Sequence, residues 1–148
     1  MYGFDGGKLI KGRKRFIFVD TLGLLISVLE LNANCSEQKG GMFVVHETDE
    51  AALKSMQLIW VDQGYQGETF AHVIDQLGGA EVEVVKRSEA GFVILPKRWI
   101  VERTFGWLNQ NRRLSKDYEL LPEVSEAMIQ GAMIRLMLQR LGERQEDA

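Results

Sequence analysis

A chain of 148 residues, 45% hydrophobic and 26% charged, has the size and composition of one globular domain with a buried core. No apolar run approaches the roughly 20 residues of a membrane helix. The charged N-terminus lacks the apolar stretch of a secretory signal, and a single cysteine, Cys35, excludes an internal disulfide or a cysteine-rich zinc site. The expected setting is a reducing cytoplasm, with no membrane partner.

The net charge of −3 argues weakly against nucleic acid, but the bases are segregated. Lys8, Lys11, Arg13, Lys14 and Arg15 lie close together. Lys86-Arg87, Lys97-Arg98, Arg103, Arg112-Arg113 and Lys116 follow, while acids collect at Glu47–Glu50 and in the tail. Such blocks suit local phosphate binding, and equally suit solvated faces.

In chain order, residues 1–12 read as an irregular, glycine-rich lead-in. Arg15–Asp20 and Leu24–Leu31 are apolar, β-branched runs, so strands. Asp20-Thr21-Leu22-Gly23 between them carries the residues of a type I turn, which predicts a β-hairpin. Both strands are apolar on both faces, as central strands are. Lys39–Lys54 reads as helix interrupted near His46–Asp49. Leu58–Val61 is a short buried strand. Glu68–Leu77 has helical spacing with Phe70, Val73, Ile74 and Leu77 on one side, and Gly78-Gly79 stops it. Glu81–Lys86 alternates charge and valine, so a strand. Pro96 opens a helix over Lys97–Asn109, and a long C-terminal helix occupies about 121–142. The order is that of an α/β chain in which an antiparallel pair leads into parallel strands.

Two carboxylates stand out by placement. Asp62 follows a buried strand, and ligands gather outside the carboxyl ends of strands in open α/β sheets. Gly64 and Gly67 let the backbone turn away from it. Glu102 lies mid-helix among aromatics, on one face with Arg98 and Trp99. The plainer alternatives are a turn aspartate for Asp62 and an ion-pair partner of Arg98 for Glu102. Asp20 is fully explained by its turn. His46 and His72 lack partners at metal-ligand spacing.

Three blocks resemble the C-terminal two-thirds of DDE transposases of bacterial insertion sequences: KGRKRFIFVDTLGLL (11–25), IWVDQGYQG (59–67) and PKRWIVERTFGWLNQNRRLSKDYE (96–119). They stand in family order, and the resemblance extends over nearly the whole chain. It implies an α/β fold of ribonuclease-H-like (retroviral-integrase-like) type, a mixed sheet flanked by helices. It implies Mg²⁺ (or Mn²⁺) held by an Asp, Asp, Glu triad for phosphodiester cleavage and strand transfer. Asp62 matches the second Asp, Glu102 matches the Glu, and Arg98 matches the basic residue that precedes that Glu. DNA, as element ends and target, is the implied partner. Arg13, Lys14, Arg15, Arg98, Arg103, Arg112, Arg113 and Lys116 are the candidate phosphate contacts.

The first Asp of the triad has no match. By the family pattern it lies on a first strand upstream of the 11–25 block, Asp5 belongs to the linking loop, and Asp20 to the hairpin turn. Residues 1–148 are therefore expected to form a partial catalytic domain lacking the first strand, inactive alone. The expected partner is an upstream transposase segment or the full-length transposase. The alternative is a catalytically inactive remnant that only binds DNA or interferes. The absent strand also implies an exposed sheet edge.

Overall fold

The computed structural model describes residues 3–7, 9–85 and 99–146. Strands β1 (Gly3–Asp5), β2 (Ile10–Val19) and β3 (Leu25–Asn32) form an antiparallel sheet in the order β1-β2-β3. The lead-in is thus not irregular throughout. Gly3 pairs with Gly12, Phe4 with Lys11 and Asp5 with Ile10. The glycine-rich segment has little strand propensity of its own, and the open edge of β2 supplies its pairing partner.

The hairpin turn forms as its residues dictate. Asp20 Oδ1 accepts from Leu22 N at 2.9 Å and Leu24 N at 2.8 Å, and Gly23 N donates to Asp20 O at 2.9 Å. Gly23 has φ +78°, the left-handed conformation glycine adopts without penalty.

Helix α1 (Glu37–His46) is capped by Ser36 and α2 (Glu50–Ser55) by Asp49, whose side chains accept from Lys39 N and Ala52 N. The interruption falls at residues 47–49, within the span expected. Strand β4 (Leu58–Val61), helix α3 (Glu68–Leu77) and strand β5 (Glu81–Val84) follow. Gly79 at φ +74° ends α3, its N–H reaching Ile74 O and Asp75 O. Helix α4 (Trp99–Asn109) starts where the described residues resume, and α5 (Pro122–Glu146) runs several residues past the expected end.

β4 and β5 are parallel, Leu58 beside Glu81 and Val61 beside Val84. The antiparallel hairpin and the parallel pair are both as expected, but they form two sheets. Among the described residues no strand pairs with β2 beyond Gly12 on its outer edge, or with β4 on the side away from β5.

Alternation along β2 sorts its side chains between two cores. Phe16 and Phe18 pack with Val44 and Val45 of α1, Ile59 of β4, and Phe70 and Ile74 of α3. Ile17, with Leu25 and Val28 of β3, packs on Leu108 of α4, Leu114, and Ile129 and Met133 of α5. The hairpin is therefore covered by α1 on one face and by α4 and α5 on the other.

Candidate functional site

β4 delivers Asp62 to its carboxyl end. The strand is anchored by Ile59, 5% exposed, and by Trp60, whose indole N–H donates to Glu83 Oε2 on β5 at 2.8 Å. Asp62 then caps the 3₁₀ turn Gln63–Tyr65, its Oδ1 accepting from Gly64 N at 2.9 Å. That bond turns the backbone away and holds the carboxylate at the surface, where the side chain is exposed. Asp62 is a turn aspartate, as the plainer reading has it, and it also lines a cleft.

α4 delivers Glu102. The helix is fixed to the hairpin turn by Thr104, fully buried, whose hydroxyl donates to Gly23 O at 2.8 Å. Arg103 adds a bond from Nη2 to Leu22 O at 2.8 Å and lies over the rings of Trp99 and Trp107, at 4.1 and 4.8 Å. With Thr104 and Leu108 inward, Val101, Glu102 and Phe105 face a cleft of about 730 Å³. Asp62 lines the same cleft, which runs between β2 and β4. Among the described residues neither carboxylate has an ion-pair partner, while Arg98, the expected neighbour of Glu102, lies outside them.

Two groups at this cleft carried no sequence signal. Glu37, in the first turn of α1, brings a third carboxylate near. A Cβ built on Gly64 would lie 2.2 Å from Glu37 Oε2 and 3.1 Å from Asp62 Oδ1, so the two acids face each other across that glycine. Tyr65 lies beneath them against Phe70, ring centroids 5.0 Å apart. Burial first, then the charges of Asp62 and Glu37, pushes its phenol up to about 12. Only the spacing of Glu37 from a capping serine was visible in the sequence, and that reads as helix start rather than as site.

The basic residues divide into two groups. Arg13 is turned inward, its side chain 2% exposed, with Nε donating to Asp117 Oδ2 at 2.8 Å and a second ion pair to Glu30. Arg15 donates to Glu30 Oε1 at 2.6 Å and to Leu114 O at 2.8 Å. Lys14 is tied to Asp5 at 2.9 Å and to Cys35 O at 3.1 Å. These three hold the 112–119 segment and β1 onto β2. Arg103 is held against the hairpin turn. Arg112 and Lys116 stay exposed, Arg113 is exposed but paired with Glu119 at 2.7 Å, and Lys116 lines the cleft.

Hard oxygen donors suit Mg²⁺ or Mn²⁺, and Asp62 and Glu102 offer that chemistry in one cleft. Among the described residues no three His, Cys, Asp or Glu side chains group to hold an ion. Asp62 and Glu102 are thus two oxygen-bearing side chains on one cleft and not a grouped set of ligands. No helix among the described residues is long and apolar enough to cross a membrane.

Residues 59–139 match the sequence profile of the transposase DDE domain. The chain is also 32% identical over 84 residues to a Burkholderia cepacia protein assigned as the transposase for insertion sequence element IS402. That alignment takes in 57% of this chain and 37% of the relative, so the chain spans little more than a third of the relative's length. No solved structure matches.

Proposed function

Because the chain belongs to the transposase DDE-domain family, we propose that it is the part of an insertion-sequence transposase carrying two of the metal-binding carboxylates, Asp62 and Glu102, on a ribonuclease-H-like scaffold. The reaction is metal-dependent cleavage of a DNA phosphodiester and transfer of the freed end to a target. A divalent ion, when bound, supplies the positive charge that such a transition state needs. The observation that carries this reading is that a strand-end aspartate and a helix-borne glutamate line one cleft with no basic partner among the described residues. Asp62 is held by its bond from Gly64, and the helix that carries Glu102 is docked through Thr104. Lys116, exposed on the same cleft, is placed to meet a phosphate.

Two carboxylates do not fix two ions, which favours a second reading for the chain acting alone: a DNA-binding or interfering subunit without catalysis. Its specific support is that no third ligand joins the pair among the described residues. The test is cleavage of a duplex bearing element ends, in Mg²⁺ or Mn²⁺, by the chain alone and by a longer transposase containing it. The expected result is no useful cleavage by the chain alone and metal-dependent cleavage by the longer protein, lost in both Asp62→Asn and Glu102→Gln with unfolding curves unchanged. Full activity of either variant in the longer protein would remove these residues from the chemistry.

A further inference from the structure

Helix α5 is apolar on two opposite faces. Ile129 and Met133 are buried in the core with Val28 of β3 and Leu108 of α4, which accounts for one face. The other carries Val124, Ala127, Gly131, Ile134, Leu138 and Leu141, all of them exposed, Ile134 by 55%, Leu138 by 62% and Leu141 by 59%. Steps of three and four residues alternate between them, so they form one strip about 100° wide on the side away from Ile129 and Met133. That alternation is the seam of a two-helix coiled coil.

Bulk is graded along the strip. Its N-terminal half holds Val124, Ala127 and Gly131, its C-terminal half Ile134, Leu138 and Leu141. Laid antiparallel on a second copy, about a two-fold axis level with Ala132 and Met133, each small residue meets a large one. Gly131 meets the partner's Ile134, Ala127 the partner's Leu138, and Val124 the partner's Leu141. The layers then have similar volume and the two helices keep one spacing. A parallel pair would stack glycine on glycine at one level and leucine on leucine at another, leaving voids in one half. Antiparallel alignment also sets each helix N-terminus beside the other's C-terminus, where the partial charges attract.

Gly131 points the same way. A Cβ built on it meets nothing within 4 Å, so this chain's own packing does not call for glycine there. Glycine weakens a helix interior relative to alanine, and close approach of a second helix gives it a use. Within residues 86–98, which lie outside the described residues, the apolar run is Phe92-Val93-Ile94-Leu95. Four residues span at most about 14 Å, roughly half of a strip about 26 Å long. No α5 residue lines the cleft of Asp62 and Glu102, so strip and cleft are separate surfaces.

We propose that α5 pairs antiparallel with α5 of a second copy of this chain through this strip. The contact is at the small end of specific interfaces, so the dimer dissociates on dilution.

Sedimentation equilibrium of the 148-residue chain, from about 1 µM to about 1 mM, reads the mass. The expected result is a monomer at the low end passing to a dimer at the high end. Leu138→Lys should weaken the dimer by at least about a hundredfold, since one leucine per copy loses its burial. Its urea midpoint at the dilute end should match the wild type, because Leu138 faces solvent in the monomer. Orientation is read by oxidative cross-linking in a Cys35→Ser background. A mixture of Ala127→Cys and Leu138→Cys chains should give the mixed disulfide in excess over either chain linked to itself. Self-linking of Ala127→Cys in preference to the mixed product would show parallel pairing. A monomer throughout, or a dimer indifferent to Leu138→Lys, would leave the strip without this partner, and any of these results would overturn the proposal.

Discussion

The carboxylate of Glu37 faces that of Asp62 across Gly64, with room between them for hydrogen but not for carbon. The group a Cβ would strike is the far end of a flexible glutamate, so Gly64→Ala should displace Glu37 and leave the fold intact. The expected cost is within about 1 kcal/mol by urea unfolding. If Glu37 helps set the charge that draws a divalent ion to Asp62, Gly64→Ala and Glu37→Gln should weaken Mn²⁺ binding alike, by about tenfold, an effect typical of residues supporting a metal site. Mn²⁺-induced broadening of amide resonances near Asp62 is the measurement. Unchanged broadening in both variants would leave Glu37 as a helix-start residue only.

Glu30 is the buried counterpart. Its side chain is 1% exposed, and Oε1 accepts from Arg15 at 2.6 Å and from the Ser125 hydroxyl at 2.7 Å, so it links β3 to β2 and to α5. Removing one partner from a buried ionic network leaves charge behind without compensation. Glu30→Ala should lower stability by about 3–5 kcal/mol, and Glu30→Gln by less, because it keeps an acceptor for Ser125. Urea midpoints with unchanged slope would confirm that stability alone is altered.

The same network shows where the sequence was legible and where it was not. The hairpin turn, the span of α3 and the position of β4 follow from local rules: an Asp and a Gly at fixed offsets, apolar spacing, a glycine stop. Arg13 and Arg15 look in sequence like part of a phosphate-binding block. Their partners Glu30 and Asp117 lie on other elements, Asp117 more than a hundred positions along the chain, and no local pattern announces them. Glu37 was hidden for the same reason. Asp62 and Glu102 were singled out by strand-end and helix-face placement together with block resemblance, and the cleft they share comes from the docking of α4 on the hairpin through Thr104 and Gly23, a tertiary contact. β1 was missed because its glycine-rich residues become a strand only against the edge of β2.

Tyr65 gives a pH prediction. Its phenol is raised from 10.0 to about 12, so the folded state disfavours tyrosinate. The stability this group contributes is complete below pH 10 and is lost as pH rises toward 12. Tyr65→Phe removes that linkage. Its unfolding midpoint in urea should fall less steeply than that of the wild type between pH 10 and 12. Parallel pH profiles for the two proteins would show that the buried ring, and not the hydroxyl, accounts for the tyrosine.

The division among the basic residues predicts which of them govern DNA affinity. Arg13 and Arg15 are committed to Glu30, Asp117 and Leu114 O, so a phosphate would have to displace short ionic contacts to reach them. Arg112 and Lys116 are exposed, and Arg113, also exposed, pairs with Glu119. Weak, sequence-independent binding to duplex DNA is expected, with affinity falling steeply as salt rises, because each phosphate neutralised releases a counterion. Replacing Arg112 and Arg113 by alanine should reduce the slope of log affinity against log salt by about 2, roughly one per lost contact, and leave the urea midpoint nearly unchanged. Arg13→Ala should do the reverse, lowering stability by a few kcal/mol because buried Glu30 loses one of its two arginines and the tie to Asp117 is broken, with little effect on the slope. Titrations of one duplex at several salt concentrations, paired with unfolding curves for the same variants, separate the two roles. A slope that responds to Arg13 and not to Arg112 and Arg113 would place the DNA on the β2 side of the cleft instead of along the 112–116 segment.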